Sequence, residues 1–386
     1  MPAPPEVARA SPPSAIAMLQ HCFAQPLEHA RTRHAAGERV VGAVSHVVPW
    51  EILRAAGLSP MVVRPATPPA GFCDEFIEPG VFSPRIRTLF ESTLAGELGF
   101  LSALLFSRAS EQEYKAYLYL REAIREGRDG IPPLVFYDLL YSSSAHAREY
   151  GLARTRDLSA VLESVAGRAI REDDLEAAVH ESNAARSAVR RILALRRNAP
   201  RISGVDALAL TATFFLIDRG SYATLANRAA DEAEGRPPLA GPRLALAGAS
   251  LDDSRLHAVI EAHGAVVVAE DGGWGSRAAG HDIEHGNDLM ASIFEKYYRD
   301  GPSVRQWPPA DHAWVSQLDA GEVDGVVVYL PPEDSVLGWD VPHERRRLDE
   351  RGLPSLVIRG DVDDAGATAR WHEPIAAFVH RLGREH

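Results

Sequence analysis

Short apolar runs bounded by polar turns alternate with segments of helical spacing along most of the chain. Val40 to Val44, Met61 to Arg64, Phe100 to Phe106 and Leu134 to Tyr137 read as strands, with helices starting at Trp50, Ser83 and Glu111 between them. Near-continuous apolar strands separated by helices predict a parallel sheet covered on both faces. From about Leu158 to Glu234 the strand signal vanishes, and Ala, Leu, Arg and Glu recur at helical spacing. The Pro- and Gly-punctuated stretch GRPPLAGPR, Gly235 to Arg243, ends that segment. Alternation then resumes with strands at Leu244 to Ala249, Ala265 to Ala269, Gly325 to Tyr329 and Ser355 to Ile358.

The pattern predicts an α/β protein of two Rossmann-like parallel-sheet lobes joined by a helical segment. An N-terminal helical segment, Ser14 to Ala36, precedes them after a Pro-rich start. The expected divisions are 1–37 for that segment, 38–157 for the first lobe, 158–236 for the helical insert and 237–386 for the second lobe. A chain of 386 residues is long enough for two or three such units.

Charge narrows the partners. A net charge of −12 opposes nonspecific binding to nucleic acid or to an anionic membrane, so neither is expected. Lys occurs only at Lys115 and Lys296, and the Arg excess beside abundant Ala, Gly and Pro reads as codon bias. Two cysteines, Cys22 and Cys73, cannot build a disulfide framework, and the first residues lack a basic region followed by a long apolar core. The cytoplasm is the expected compartment. The apolar run from Ala207 to Ile217 is too short to span a membrane and reads as a buried helix.

Candidate chemistry gathers at strand ends. In RVVGAVSHVVPWEILRAAGLSPM, Arg39 to Met61, a strand stops at Ser45 and His46, and Pro49 restarts the chain at helix geometry. Glu51 then sits in the first helical turn. It either complements the helix dipole or serves a ligand at the carboxyl end of a parallel strand. Ser142, Ser143, Ser144 and His146 follow another strand and are either an N-cap cluster or a seat for a phosphate or thioester oxygen. His281 to His285 fits the H-x-x-E-H spacing of inverted zinc peptidases, which requires a helix. No strand is followed by a dinucleotide fingerprint, and there is no phosphate-binding P-loop.

The wording from Val40 to Val63 resembles the opening of the 2-hydroxyacyl-CoA dehydratase and benzoyl-CoA reductase subunit family, including the D-component of 2-hydroxyglutaryl-CoA dehydratase. Weaker matches follow in order: the segment around Cys73, the strand ending at Ser107 and Arg108, AEDGGWGSR from Ala269 to Arg277, DGVVVYLPPED from Asp324 to Asp334, and RGLPSLVIRGD from Arg351 to Asp361. The resemblance spans nearly the whole chain. It implies a cytoplasmic heterodimer acting on an acyl-CoA thioester, a homologous second subunit, and a separate ATP-dependent activator. It also implies Glu51, Ser45 and His46 as acid/base or pocket residues, Arg108, Ser107, Ser143 and Arg277 as substrate contacts, and Cys73 as a metal ligand. On that reading Glu51→Gln abolishes turnover and leaves folding intact.

Family members hold a [4Fe-4S] cluster through three cysteines on three loops, because each iron takes a soft anionic ligand. This chain matches that pattern at Cys73 alone. Ser107-Arg108 stands where the family has Cys-Asp, and Pro332 to Ser335 supplies no thiol at the third position. The resemblance therefore implies the acyl-CoA fold, with the cluster expected on a cysteine-complete partner. The alternative is a diverged, redox-free enzyme or a scaffold subunit that keeps the old acyl pocket.

Overall fold

A computed structural model describes residues 13–65, 71–77, 82–274, 278–300, 318, 321–362 and 364–384. Two four-stranded, all-parallel sheets carry the architecture. The first contains β1 (Val40–Ala43), β2 (Ser59–Val62), β3 (Ala103–Ser107) and β4 (Leu134–Tyr137) in the order β2-β1-β3-β4. The second contains β5 (Arg243–Gly248), β6 (Val266–Glu270), β7 (Gly325–Leu330) and β8 (Ser355–Arg359) in the equivalent order β6-β5-β7-β8. Every predicted strand forms, one of them (Leu134–Tyr137) with the expected bounds and the others with ends shifted by no more than three residues. The likeness between the lobes that sequence shows only as an order of elements is thus also a likeness of topology.

Burial explains the strand sequences. All residues of β1, β3 and β7 are buried, so these strands are apolar on both faces, whereas the edge strands β4 and β8 are partly exposed. β5 ends at Gly248, whose φ of +98° and near approach to the Tyr329 carbonyl leave no room for a Cβ.

The predicted N-terminal segment is two helices, α1 (Ala15–Ala24) and α2 (Pro26–Ala35). Pro26 excludes helical geometry at Gln25, which sits at φ −129°, ψ 53°. Within the first lobe lie α3 (Trp50–Ala55), α4 (Pro84–Leu94) and α5 (Glu111–Arg125). Helical structure then begins with α6 (Ala145–Ala166), so the expected division at 157/158 falls inside a helix. α7 (Glu172–Ala194), α8 (Gly204–Ala212) and α9 (Arg219–Glu234) complete the insert. The second lobe adds α10 (Arg255–Ala262), α11 (Leu289–Asp300) and the helices Ser335–Glu350 and Ala365–Leu382. The largest apolar cluster joins α1, one face of the first sheet, the insert and α11, while each lobe keeps further clusters of its own. Among the described residues no helix is long and apolar enough to cross a membrane.

Two buried ion pairs fasten the insert to both lobes. Arg186 on α7 donates to Glu51 Oε1 at 2.6 Å, and Arg196, just beyond α7, donates to Glu270 Oε1 at 2.7 Å. Arg196 also donates to the Val267 carbonyl at 2.9 Å, and His257 Nε2 lies 3.0 Å from Glu270 Oε2. Arg196 and His257 together outweigh the cost of burial at Glu270 and hold its pKa down at about 2.

Candidate active site at the first switch point

In the first sheet the chain leaves β1 toward β2 on one side and places β3 on the other. The crevice beyond the carboxyl ends of β1 and β3 is therefore the topological switch point, where open α/β sheets bind ligands. Ser45, the first polar residue after β1, and Ser107, the last residue of β3, meet across it with hydroxyl oxygens 2.6 Å apart. Both are buried, and Ser45 Oγ also accepts the Val47 N–H at 3.3 Å.

A third buried residue completes this cluster and was missed by sequence reasoning. Glu113 lies in the first turn of α5, where Ser110 to Glu113 spells a capping box. Half of that box forms, as Ser110 Oγ accepts the Glu113 N–H at 3.2 Å. The carboxyl turns inward to the Ser45 and Ser107 hydroxyls, and its Oε2 is enclosed without a partner among the described residues. Burial raises the Glu113 pKa to about 7, opposed only partly by the Arg85 charge and the two hydroxyls. A carboxyl of this kind can hold or release a proton near neutrality.

The second lobe closes the crevice. His46 packs edge-on against Trp274 and against Phe215 of the insert, each with ring centroids 4.4 Å away. Arg85 on α4 donates to the Val44 carbonyl and lies 3.5 Å from Asp252, whose other oxygen accepts Trp274 Nε1–H at 2.6 Å. Burial, with the Arg85 and Arg219 charges, lowers the His46 pKa to about 3, so the ring is neutral at pH 7.

Glu51 is placed differently from Ser45 and His46. It is fully buried, salt-bridged to Arg186, and accepts the Tyr297 hydroxyl at 2.8 Å. Burial alone would raise its pKa, but the Arg186 and Arg219 charges and the hydrogen bonds outweigh burial and hold it below the ordinary carboxylate range. This is the geometry of a structural tie, with both carboxylate oxygens engaged.

The remaining candidates are dispersed. Arg108 lies 3.5 Å from Asp138 and stacks over Tyr114, while Asp138 also accepts the Tyr150 hydroxyl at 2.7 Å. Ser143 is exposed beside Ser144, whose hydroxyl caps α6 by accepting the Ala147 N–H. Arg277 lies outside the described residues. His281 to His285 is not helical: Asp282 pairs with Arg190, and Ile283 exchanges backbone hydrogen bonds with the Asn183 side chain. The two histidines therefore lack the shared helix face that the zinc reading requires.

Cys73 sits in a single 3₁₀ turn, Phe72–Glu75, at no exposure, within the apolar cluster of Ile77, Phe90 and Phe106. Its N–H donates to Glu91 Oε2 at 2.8 Å, and burial raises the thiol pKa, which disfavours the thiolate that iron binds. Cys22, half-buried on α1, is also raised by burial. Among the described residues no three His, Cys, Asp or Glu side chains are grouped to hold a metal ion.

Residues 46–382 match the family model for 2-hydroxyglutaryl-CoA dehydratase, D-component. The chain belongs to this D-component family. It is 20% identical over 365 residues to the (R)-2-hydroxyglutaryl-CoA dehydratase beta subunit of Acidaminococcus fermentans, covering 90% of this chain and 93% of that protein. It is 22% identical over 341 residues to the lactoyl-CoA dehydratase beta subunit of Anaerotignum propionicum, covering 85% of this chain and 87% of that protein. The D-component match begins at His46, just past β1 and Ser45, and runs through the rest of the first lobe, the insert and most of the second lobe, so it includes Ser107, Glu113 and Trp274 of the crevice.

Proposed function

We propose that this chain is the beta-type subunit of a two-component 2-hydroxyacyl-CoA dehydratase, binding an acyl-CoA thioester at the first switch point. A homologous, cysteine-complete subunit supplies the electron-carrying cluster, and a separate ATP-dependent activator recharges it. The observation that carries the reading is the Ser45–Ser107 contact at the switch point, at a position where the family resemblance puts a cluster cysteine. With two cysteines in the chain, one buried and held toward the neutral thiol, the donors present do not fit a [4Fe-4S] cluster. No step is therefore assigned to a cluster on this chain.

What its own residues contribute is an enclosed wall. Ser45 and Ser107 offer hydroxyls, His46 an uncharged imidazole, and Glu113 a proton near pH 7, under a cover made by Trp274. Arg108 is the nearest cation in sequence for an anionic part of the substrate. The Glu113 cluster also favours the second reading, a redox-free enzyme that has kept the pocket and works by proton transfer alone.

Anaerobic purification of this chain alone, and co-expressed with a cysteine-complete homologue, followed by iron and acid-labile sulfide analysis, separates the two. Iron in the co-expressed complex only, together with dehydration of a 2-hydroxyacyl-CoA, supports the first reading. No iron in either preparation, with turnover lost in Glu113→Gln, supports the second. A full cluster complement in the isolated chain overturns both.

A further inference from the structure

Arg219 begins α9 with 4% exposure, and its guanidinium is a buried cation with no carboxylate paired to it among the described residues. Glu51, the nearest buried acid, spends one oxygen on Arg186 and the other on the Tyr297 hydroxyl. Two arginines and one glutamate thus leave this interior with a surplus positive charge. The Arg219 guanidinium carbon lies 3.1 Å from the Phe214 ring centroid, 4.7 Å from Trp50 and 5.4 Å from Phe215. Cation–π contact offsets part of the burial cost but leaves the N–H groups in the guanidinium plane without acceptors. Arg219 Nε and Nη1 are both enclosed and unpaired among the described residues.

The same is true of two neighbours. Trp50 Nε1 and His46 Nε2 are enclosed without a partner among the described residues, and both rings pack against Phe215. An unpaired buried polar group costs about 1–3 kcal/mol, so several around one phenylalanine mark a place lacking an acceptor. Burial lowers the Arg219 pKa to about 9, which still leaves it charged at pH 7.

We propose that Arg219, Trp50 and His46 form a buried seat for the carboxylate of a small organic acid. A carboxylate supplies the missing negative charge and up to four acceptor positions, and its flat shape suits a site walled by aromatic rings. The seat shares His46 with the crevice wall, and its occupancy is read by binding alone, without reference to the reaction there.

The probe is acetate, titrated against the full chain at pH 7 and constant ionic strength with chloride as the exchanged anion. Isothermal titration calorimetry is the readout, because it does not depend on Trp50, which one of the variants replaces. The expected result is a saturable response to acetate, absent in Arg219→Gln. In Trp50→Phe, which keeps an aromatic ring and removes one donor, affinity falls about tenfold. That second variant decides the matter where Arg219→Gln fails to fold. The proposal is overturned by no saturable response in the wild type, by an undiminished response in Trp50→Phe, or by chloride alone producing the same effect as acetate.

Discussion

Glu51 and Glu113 occupy matching places in the first lobe. Each lies in the first turn of a helix that follows a parallel strand, one beyond β1 and the other beyond β3, on either side of the switch point. Both are buried, yet their surroundings drive them in opposite directions. Glu51 meets two arginines and a tyrosine and is held ionised, while Glu113 meets two serine hydroxyls and a more distant arginine and is held near pH 7. Placement at a strand's carboxyl end therefore does not decide a carboxyl's protonation state. The charges brought by the insert do, and these come from residues more than a hundred positions away in sequence.

The largest expected effect breaks the comparison at Glu51. Glu51→Gln leaves Arg186 buried without a counter-charge and should cost about 3–5 kcal/mol in urea unfolding. Glu113→Gln should be neutral or stabilising at pH 8. Equal destabilisation by the two substitutions would erase the distinction.

The next effect is in pH. Because the folded pKa of Glu113 is raised above its ordinary value, its contribution is fully present below about 4.5 and is lost as pH rises to about 7. The loss is roughly 3 kcal/mol at 1.36 kcal/mol per unit. Glu270 runs the other way: its lowered pKa contributes stability above about 4.5 that is lost as pH falls toward 2. Unfolding measured from pH 4 to pH 8 should therefore show a decline above pH 4.5 that Glu113→Gln removes. A wild-type profile identical to that of Glu113→Gln would contradict the assignment.

A smaller effect sharpens the serine contribution. Ser107→Ala removes one hydroxyl that favours the ionised form, so the Glu113 midpoint should rise, with a stability change of about 1 kcal/mol. A downward move would show that the hydroxyl favours the neutral acid. The smallest effect concerns Cys73, whose thiol should resist a water-soluble disulfide reagent at pH 8 until the protein unfolds. Immediate reaction would show an accessible thiolate instead.

The eight strands and the helical insert were legible because parallel strands buried on both faces leave continuous apolar runs, as in Val326 to Leu330. The pairing of Ser45 with Ser107 was half legible, since both stand at strand ends but only the sheet order places them side by side. Glu113 was hidden by its own local sequence, where a capping box accounts for a glutamate three residues after a serine. Arg186, Arg196 and Arg219 were hidden among many arginines, and nothing short-range distinguishes a buried guanidinium from an exposed one. Glu51 was conspicuous for its position after Pro49, but its partners lie on α7 and α11.

The most direct test of this contrast is infrared difference spectroscopy of the protonated-carboxyl stretch, wild type minus Glu113→Gln, followed from pH 5 to pH 9, with Glu51 protonation sought in the same spectra. A carboxyl signal assigned to Glu113 that disappears with a midpoint near 7, and no protonated Glu51 above pH 5, is the predicted result. A Glu113 already ionised at pH 5, or a Glu51 that titrates near neutrality, would contradict it.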